Sequence, residues 1–459
     1  MADGIQAFAD WLFRPYVIAV LLGGGLFLSI RTGFVQVRRF GDGLRAMVAQ
    51  TSKGASGALT PFQSFMTALA ASIGTGNIAG VATAIVSGGP GALFWIWVYG
   101  FLATSIKFCE AVLGIKYREA RGEDVKCGPM YYLREVKWRA FPKTGLALAW
   151  VYAFVAGVAA LTTTPFTQPN SIGVAVNYVF PSGTLTLPVL GDVPRTALFT
   201  GLVVAVLTWA VIIRGIKSIG RAAESLAPLK VGLYLIGGLI VIVSFAGEIP
   251  HVLKLVVTEA LTLRSGLGFG LFVAMRYGIA RGVYANEAGY GTAAVAYGTA
   301  KSSDPSQQGM QAVMEVFIVS FVTATISAMT ILLTGVWSMG PTSTAAVASA
   351  FNMAIPTGGG YIVALCAFLF GYTTLIGWAY YGEQFLEYIF GRSVTVPYRW
   401  IYCLLIPFGA IAKPTVVWAW GDLMNALQVF PNMIGLVVLS GVAAVYAKSR
   451  KTAATAARP

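Results

Sequence analysis

Apolar runs alternate with short polar stretches along almost the whole chain. A helix crosses ~30 Å of hydrocarbon with about 20 residues. Eleven segments reach that length, roughly 12–30, 62–87, 90–115, 145–180, 196–213, 229–247, 250–283, 312–338, 359–389, 397–412 and 414–446. The pattern predicts an all-α polytopic membrane protein. The polar stretches carry a second pattern. Arg31, Arg38, Arg39, Arg45 and Lys53 follow the first segment, and Lys116, Arg118, Arg121, Lys126, Arg134, Lys137, Arg139 and Lys143 follow the third. Arg214, Lys217, Arg221 and Lys230 are assigned to the loop after the fifth, Arg392 and Arg399 to the loop after the ninth, and Lys448, Arg450, Lys451 and Arg458 to the tail. The alternate loops are nearly uncharged. Lys and Arg collect on the cytoplasmic side, so the expected N-terminus is outside and the C-terminus inside. Pro431-Asn432 could split the last segment, which would carry the basic tail outside. One long kinked helix preserves the alternation.

Composition agrees with the pattern. The 459 residues are 57% hydrophobic and 11% charged, against roughly 25% charged in soluble proteins. A net charge of +14 would suit nucleic acid in a soluble protein, but here cytoplasmic loops absorb it, and no nucleic-acid partner is expected. Cys109, Cys127, Cys366 and Cys403 show no CxxC spacing, and His251 is the one histidine. Neither a disulfide framework nor a histidine metal site is expected. The opening MADGIQAFADW holds two Asp and no Lys or Arg, unlike a secretory signal.

The second segment contains SIGTGNIAG, Ser72 to Gly80. In hydrocarbon, non-helical backbone is tolerated only where it is buried in protein or lines a cavity. Gly74, Gly76 and Gly80 beside Thr75 and Asn77 predict a helix that unwinds near the midplane. Freed carbonyls there can ligate a cation, and the N–H groups of the next half-helix can hold a carboxylate. The same glycines would also suit a close packing seam between helices. A second candidate break is SGLGFG, 265–270. Both fall at corresponding positions of two five-helix halves, 62–249 and 250–446, preceded by an N-terminal helix with an amphipathic linker (1–61) and followed by a basic tail (447–459). An unbroken helix after an extracellular glycine loop is the alternative for 265–270.

Other residues interrupt the apolar pattern. Gln168 lies in TTTPFTQPNSIG, where Pro165 and Pro169 loosen the helix. Thr373 and Thr374 are adjacent hydroxyls, and Thr374, Trp378 and Tyr381 share one helical face. Their alternative readings are back-bonding to the helix's own carbonyls and core packing. Lys107 and Glu110 are spaced to pair on one helix. Asn286 and Glu287 of NEAGYGTA read as a cytoplasmic cap or gate anchor. GPMYYLREV reads as a short helix on the inner membrane surface, and GLRAM after VRRF is a second candidate of that kind.

GTGNIAGVATAIVSGGPGALFWIW (74–97), GPMYYL, GIKSIGRA (215–222), RYGIARGVYANEAGYGTA (276–293) and GWAYYGEQ resemble motifs of the alanine or glycine:cation symporter family, in the LeuT fold group. The resemblance spans about 12–446. It implies a 5+5 inverted repeat with a broken first helix in each half, plus one extra N-terminal helix. It also implies import of alanine or glycine with Na⁺ across a bacterial-type cytoplasmic membrane, with no obligatory protein partner. Thr75, Gly76 and Asn77, with Gln168 and Trp378, would then bind substrate. The carbonyls of Ala70, Ile73 and Phe370 and the hydroxyls of Thr373 and Thr374 would hold Na⁺. Tyr290, Pro169 and Arg276 depart from the family's usual residues.

Three rival readings remain. Proton coupling needs a buried titratable group, for which Glu110, Glu287, Glu315, Glu383 and Asp422 are candidates; the paired threonines favour Na⁺. A membrane enzyme would need a His, Asp or Glu cluster at one face, and no such cluster is evident. An ATP-driven pump would need GxxxxGK[ST], which is absent from the sequence.

Overall fold

The computed structural model describes residues 16–48, 51–52, 54–137, 143–187, 191–262 and 271–449, with Gly4, Ala7, Phe8, Trp11 and Leu12 near the start. The 265–270 stretch and Lys53, Arg139, Arg450, Lys451 and Arg458 therefore lie outside the described residues.

The chain is a helical bundle. Helix α1 is Ile18–Arg31, and the short helices Val35–Arg38 and Phe40–Ala46 follow it. A broken pair comes next, α2 (Pro61–Ser72) and α3 (Ala79–Gly88), then α4 (Ala92–Tyr117) and the short α5 (Pro129–Leu133). Helices α6 (Thr144–Thr162) and α7 (Thr164–Val179) form one long rod, followed by α8 (Arg195–Ile212), α9 (Ile216–Ser244) and α10 (Ile249–Leu261). The second part holds α11 (Leu271–Asn286), α12 (Thr292–Gly298), α13 (Pro305–Leu333, with a π turn at 317–323), α14 (Ser343–Ala354) and α15 (Gly359–Phe390). Helices α16 (Thr395–Ile411), α17 (Pro414–Val438) and α18 (Ser440–Lys448) complete it. Two small antiparallel hairpins lie between helices, Glu119–Arg121 with Asp124–Lys126 and Thr184–Leu187 with Gly191–Pro194.

Among the described residues, seven helices are long and apolar enough to cross a membrane, or nine if each bent pair is one span. Of the other expected spans, Ile18–Arg31 has 14 residues, and the expected 250–283 segment divides between α10 and α11. Helix α17 runs through Pro431 and bends by 61° where α18 begins, so the kink falls after the proline.

Helix α9 shows how lipid and protein faces are sorted. Leu229, Ile236, Leu239 and Val243 are exposed, while Ala223, Ala227, Lys230, Tyr234 and Val241 are buried. Exposed apolar side chains over a buried small-residue face suit a helix with lipid on one side. Lys230 sits in the middle of this 29-residue helix and is fully buried. It is not a loop residue, and the positive-inside count loses one charge. The expected 229–247 segment is part of this longer helix, which carries Pro228 in its interior.

Two local expectations are corrected. Helix α5 does not lie on a membrane surface: Pro129, Met130, Tyr131, Tyr132 and Leu133 are all buried, and Tyr132 donates to Asn432 Oδ1. Nor do Lys107 and Glu110 pair. Lys107 Nζ bonds Glu315 Oε1 at 2.6 Å, both fully buried. Ser72 Oγ and Tyr297 OH also donate to Glu315, so this carboxylate ties α2, α4, α12 and α13 together. Removing one partner of a buried ion pair leaves an uncompensated charge. Lys107→Met should lower stability by about 3–5 kcal/mol, read as thermal unfolding in detergent, and Lys107→Met with Glu315→Gln should recover part of the loss.

Candidate functional site

The site is built from two breaks. Helix α2 starts with a capping box: Thr60 Oγ1 accepts from Gln63 N at 3.1 Å and Gln63 Oε1 accepts from Thr60 N at 3.2 Å. Its other end stops at Ser72 inside the bundle, and the axis turns by 56° into the following helix. A helix end leaves its last four carbonyls without intrahelical partners. The partners come from elsewhere. Thr374 Oγ1 donates to Ala71 O at 2.8 Å and to Ala70 O at 3.3 Å. Asn77 Nδ2 donates to Ser72 O at 3.1 Å. Lys230 Nζ donates to Ala70 O at 2.9 Å, to Ile73 O at 2.6 Å and to Thr373 Oγ1 at 2.5 Å.

The expected cation ligands are thus brought together, around a lysine. An ammonium carries three donors, and the cage supplies three acceptors. The negative end of the α2 dipole also favours a positive charge here. Phe370 contributes its ring, 5.3 Å from Nζ, while its carbonyl accepts from Thr373 Oγ1 at 3.1 Å. Thr374 Oγ1 donates to the α2 carbonyls and makes no bond to Nζ. The oxygen donors are of the type a hard cation takes, but free Na⁺ does not fit while Nζ uses the same three atoms. At about 4 Å and an effective dielectric near 20, two unit charges repel by about 4 kcal/mol.

Beyond the break, Gln168 Oε1 accepts from Thr75 N and from Thr75 Oγ1, each at 2.9 Å. An acceptor oxygen therefore occupies the position expected for a substrate carboxylate. The glycines allow this approach: a Cβ on Gly74 would stand 2.6 Å from Thr374 Oγ1, and one on Gly76 would stand 2.8 Å from the Tyr284 ring. Asn77 does not line the cavity. Its Oδ1 accepts from Thr323 at 3.1 Å and its carbonyl from Ser327 at 2.5 Å, so it pins the break to α13.

The break opposite lies at 287–291, in the stretch read from the sequence as a cytoplasmic cap or gate anchor. Gly289 and Gly291 have φ of 93° and 85°, which glycine adopts readily, and Glu287 has φ of 56°, uncommon for a residue with a side chain. Helix α11 packs along α3 and α12 along α2, so the two broken pairs run side by side. Here too the backbone is satisfied. Glu110 Oε1 accepts from Gly289 N at 2.9 Å, Gly291 N at 3.1 Å and Asn432 Nδ2 at 2.9 Å. Tyr99 OH donates to Ala288 O at 2.8 Å and Tyr152 OH to Tyr290 O at 2.5 Å.

A cavity lies between the breaks, lined among others by Gly74, Gly76, Gln168, Tyr284, Glu287 and Trp378. Its free space is about 20 Å³, little more than one water molecule requires. Glu287 Oε1 accepts from Trp378 Nε1 at 2.6 Å and Oε2 from Thr292 Oγ1 at 2.8 Å. Sequence reasoning missed Lys230 in the bundle, the contact of Glu110 with the second break and the placement of Glu287 in the cavity wall. A lysine 15 residues into a 29-residue helix was the signal for the first.

Two broken helices side by side, with half-helix ends converging on a small polar cavity in a membrane bundle, define a secondary transporter. The whole-chain comparisons agree. Residues 1–457 match the sodium:alanine symporter family, and the chain belongs to that family. It is similar to the sodium/alanine symporter AgcS of Methanococcus maripaludis, 37% identical over 94% of this chain and 93% of that protein. The probable sodium/glutamine symporter GlnT of Bacillus subtilis is 31% identical over 94% of this chain and 87% of its own length. Among solved structures, MhsT in complex with L-phenylalanine matches with a TM-score of 0.57 at 14% identity, over 86% of this chain and 99% of that one. The fold is of the LeuT type, and the protein is a multi-pass membrane transporter, not an enzyme.

Gly76→Leu would drive a side chain into the Tyr284 ring, beside the Thr75–Gln168 contact. Substrate binding should be abolished while the protein still inserts and purifies. Wild-type binding in that variant would reduce the break to a packing seam.

Proposed function

We propose that the chain imports alanine or a comparably small neutral amino acid, such as glycine, by cation symport with alternating access around the cavity between the two breaks. The observation that carries this reading is the Gln168 oxygen on Thr75 N and Oγ1. A substrate carboxylate offers the same acceptor chemistry and would displace it. Glu287, across the cavity, supplies the negative charge that suits the substrate's ammonium. The small free space supports a small side chain, with Trp378 as the wall that limits it. The family's description and the name of the archaeal relative support sodium as the coupling ion. The Lys230 contact favours a second reading, in which protons take sodium's place. The alternation of basic loops supports an N-terminus outside and a C-terminus inside a bacterial-type cytoplasmic membrane. The halves 62–249 and 250–446 would move as two repeats around the site.

Counterflow of labelled alanine in proteoliposomes tests the transport reading without any ion gradient. Exchange blocked by unlabelled alanine or glycine and not by leucine is expected; no exchange of any small amino acid would reject it. Trp378→Ala should let leucine compete, because one methylene is worth only ~1–3 kcal/mol and bulk must do the excluding. It should also weaken alanine by about tenfold, since Glu287 Oε1 loses a donor at a cost of about 1–3 kcal/mol. Unchanged leucine exclusion would remove Trp378 from the pocket wall.

A further inference from the structure

We infer that a second cavity, between the short helices after α1 and the helices α4 and α13, holds an acyl chain of an anionic phospholipid, and that this lipid braces both breaks of the site. The cavity has about 200 Å³ of free space and is walled by Phe40, Phe101, Val313, Phe317 and Phe321. An apolar cavity of ~150 Å³ stays dry and takes up a molecule the size of benzene. Water is therefore a poor occupant, and a hydrocarbon chain suits the walls. The rim meets the apolar surface of the bundle. Phe101 is 36% exposed. Val37 is exposed too, as is Phe34, whose ring centroid lies 6.5 Å from that of Phe101. In a bilayer, lipid tails cover such a surface.

The same segment carries what a charged headgroup needs. Between residues 31 and 46, Arg31, Arg38, Arg39 and Arg45 stand against a single acid, Asp42. Arg39 is buried and bonds Asp42 Oδ2 at 2.8 Å. Arg31, Arg38 and Arg45 are exposed, and their guanidinium groups suit a phosphate. Gln36 lies among them, in the cavity wall, and is 5% exposed. Its Nε2 donates to Ser29 Oγ at 3.0 Å, and its Oε1 has no hydrogen-bond partner. A buried acceptor left unpaired is costly, and a headgroup hydroxyl would meet it. Negative charge and a hydroxyl donor together select phosphatidylglycerol. A choline lipid has no net charge and no headgroup donor. The lipid comes from the leaflet that borders the basic loops.

The π turn at 317–323 ties this cavity to the site. Phe317 and Phe321 line the cavity. Two other residues of the turn reach the two breaks. Ser320 Oγ accepts from Asn286 Nδ2 at 3.1 Å, and Thr323 Oγ1 donates to Asn77 Oδ1 at 3.1 Å. Turns of this kind are frequent at functional sites. An empty cavity leaves the two rings without contacts on one side. A chain packed against them limits how far the turn can shift, and so holds Asn77 and Asn286 where they are. A ligand that binds one arrangement better shifts the protein toward it. This arrangement keeps Thr75 at the substrate cavity, so lipid and substrate support each other. That consequence rests on the transport reading above, and the lipid site itself does not.

The test adds phosphatidylglycerol or phosphatidylcholine to the purified full chain in detergent. Native mass spectrometry reads bound lipid, and thermal unfolding reads stability. Phosphatidylglycerol should be retained and should raise the unfolding midpoint, as mass action requires of a ligand of the folded state. Phosphatidylcholine should do neither. Thr104 also lines the cavity, so Thr104→Trp should fill it and abolish retention. Arg31→Gln with Arg45→Gln, both exposed positions, should weaken phosphatidylglycerol binding by about tenfold. Phosphatidylglycerol should strengthen binding of labelled alanine by about fivefold, and alanine should strengthen lipid binding by the same factor. Equal retention of the two lipids, or unchanged binding in the double arginine variant, overturns the site, and both outcomes decide the question even if Thr104→Trp does not fold. A dimer of the chain with no lipid retained overturns it as well and assigns the face to a second copy. Alanine affinity that ignores bound lipid overturns the bracing of the breaks. Absence of alanine binding with every lipid counts against the transport reading, and lipid retention still decides the site.

Discussion

The structure depends on one constraint: a helix that ends inside an apolar bundle must find partners for its last carbonyls. An unpaired buried polar group costs about 1–3 kcal/mol, and helix α2 ends with Ala70, Ala71, Ser72 and Ile73 all facing this demand. Thr374 takes Ala71, Asn77 takes Ser72, and Lys230 takes Ala70 and Ile73. Each partner belongs to a different part of the chain, so the break is the point where α9, α15 and the segment after α2 are fastened together. A binding site follows from the same arrangement. Groups that satisfy a broken helix are polar, converge on a small volume, and can exchange one partner for another.

The second break obeys the same rule with the opposite polarity. Its free groups are N–H as well as C=O, and Glu110 accepts two of the N–H groups while Tyr99 and Tyr152 serve the carbonyls. One break thus gathers a positive charge and the other a negative one. Glu287, adjoining the second, closes the cavity from that side. An amino acid is a zwitterion, and the cavity is lined by Gln168, which accepts from Thr75 N, and by the Glu287 carboxylate. The Lys230 cage and the polar cavity both adjoin the end of α2, inside an apolar bundle.

Much of this was legible in the sequence. Long apolar runs and alternating basic loops define the membrane bundle, because hydrocarbon admits few other solutions. Gly74, Thr75, Gly76 and Asn77 in an apolar run mark the first break for the same reason. Ala70, Ile73 and Thr373, expected as sodium ligands, do come together, around Lys230 Nζ. The identity of that charge was not legible. Lys230 follows Pro228 and a basic loop, so it read as one more positive-inside residue, and only the length of α9 carries it to the middle of the bundle. The second break was hidden by its polarity: NEAGYG lies past the end of an apolar run and looks like a loop. Glu110 and Lys107 have helical spacing that suggests a pair, yet their partners, Glu315 and Asn432, come from remote segments. Local spacing cannot weigh one tertiary partner against another. Helix α5 shows a related limit, since a short apolar face looks the same whether it meets lipid or protein.

Family membership describes what the fold commonly carries; the cage around Nζ describes what this chain puts there. The most direct measurement is an experimental structure with alanine bound in sodium chloride, at a resolution that separates an ion from an ammonium. The account predicts an alanine carboxylate oxygen on Thr75 N–H with the Gln168 amide displaced, and Lys230 Nζ still bonded to Ala70 O, Ile73 O and Thr373 Oγ1. A sodium ion among those three oxygens, with the lysine side chain turned away, would contradict it.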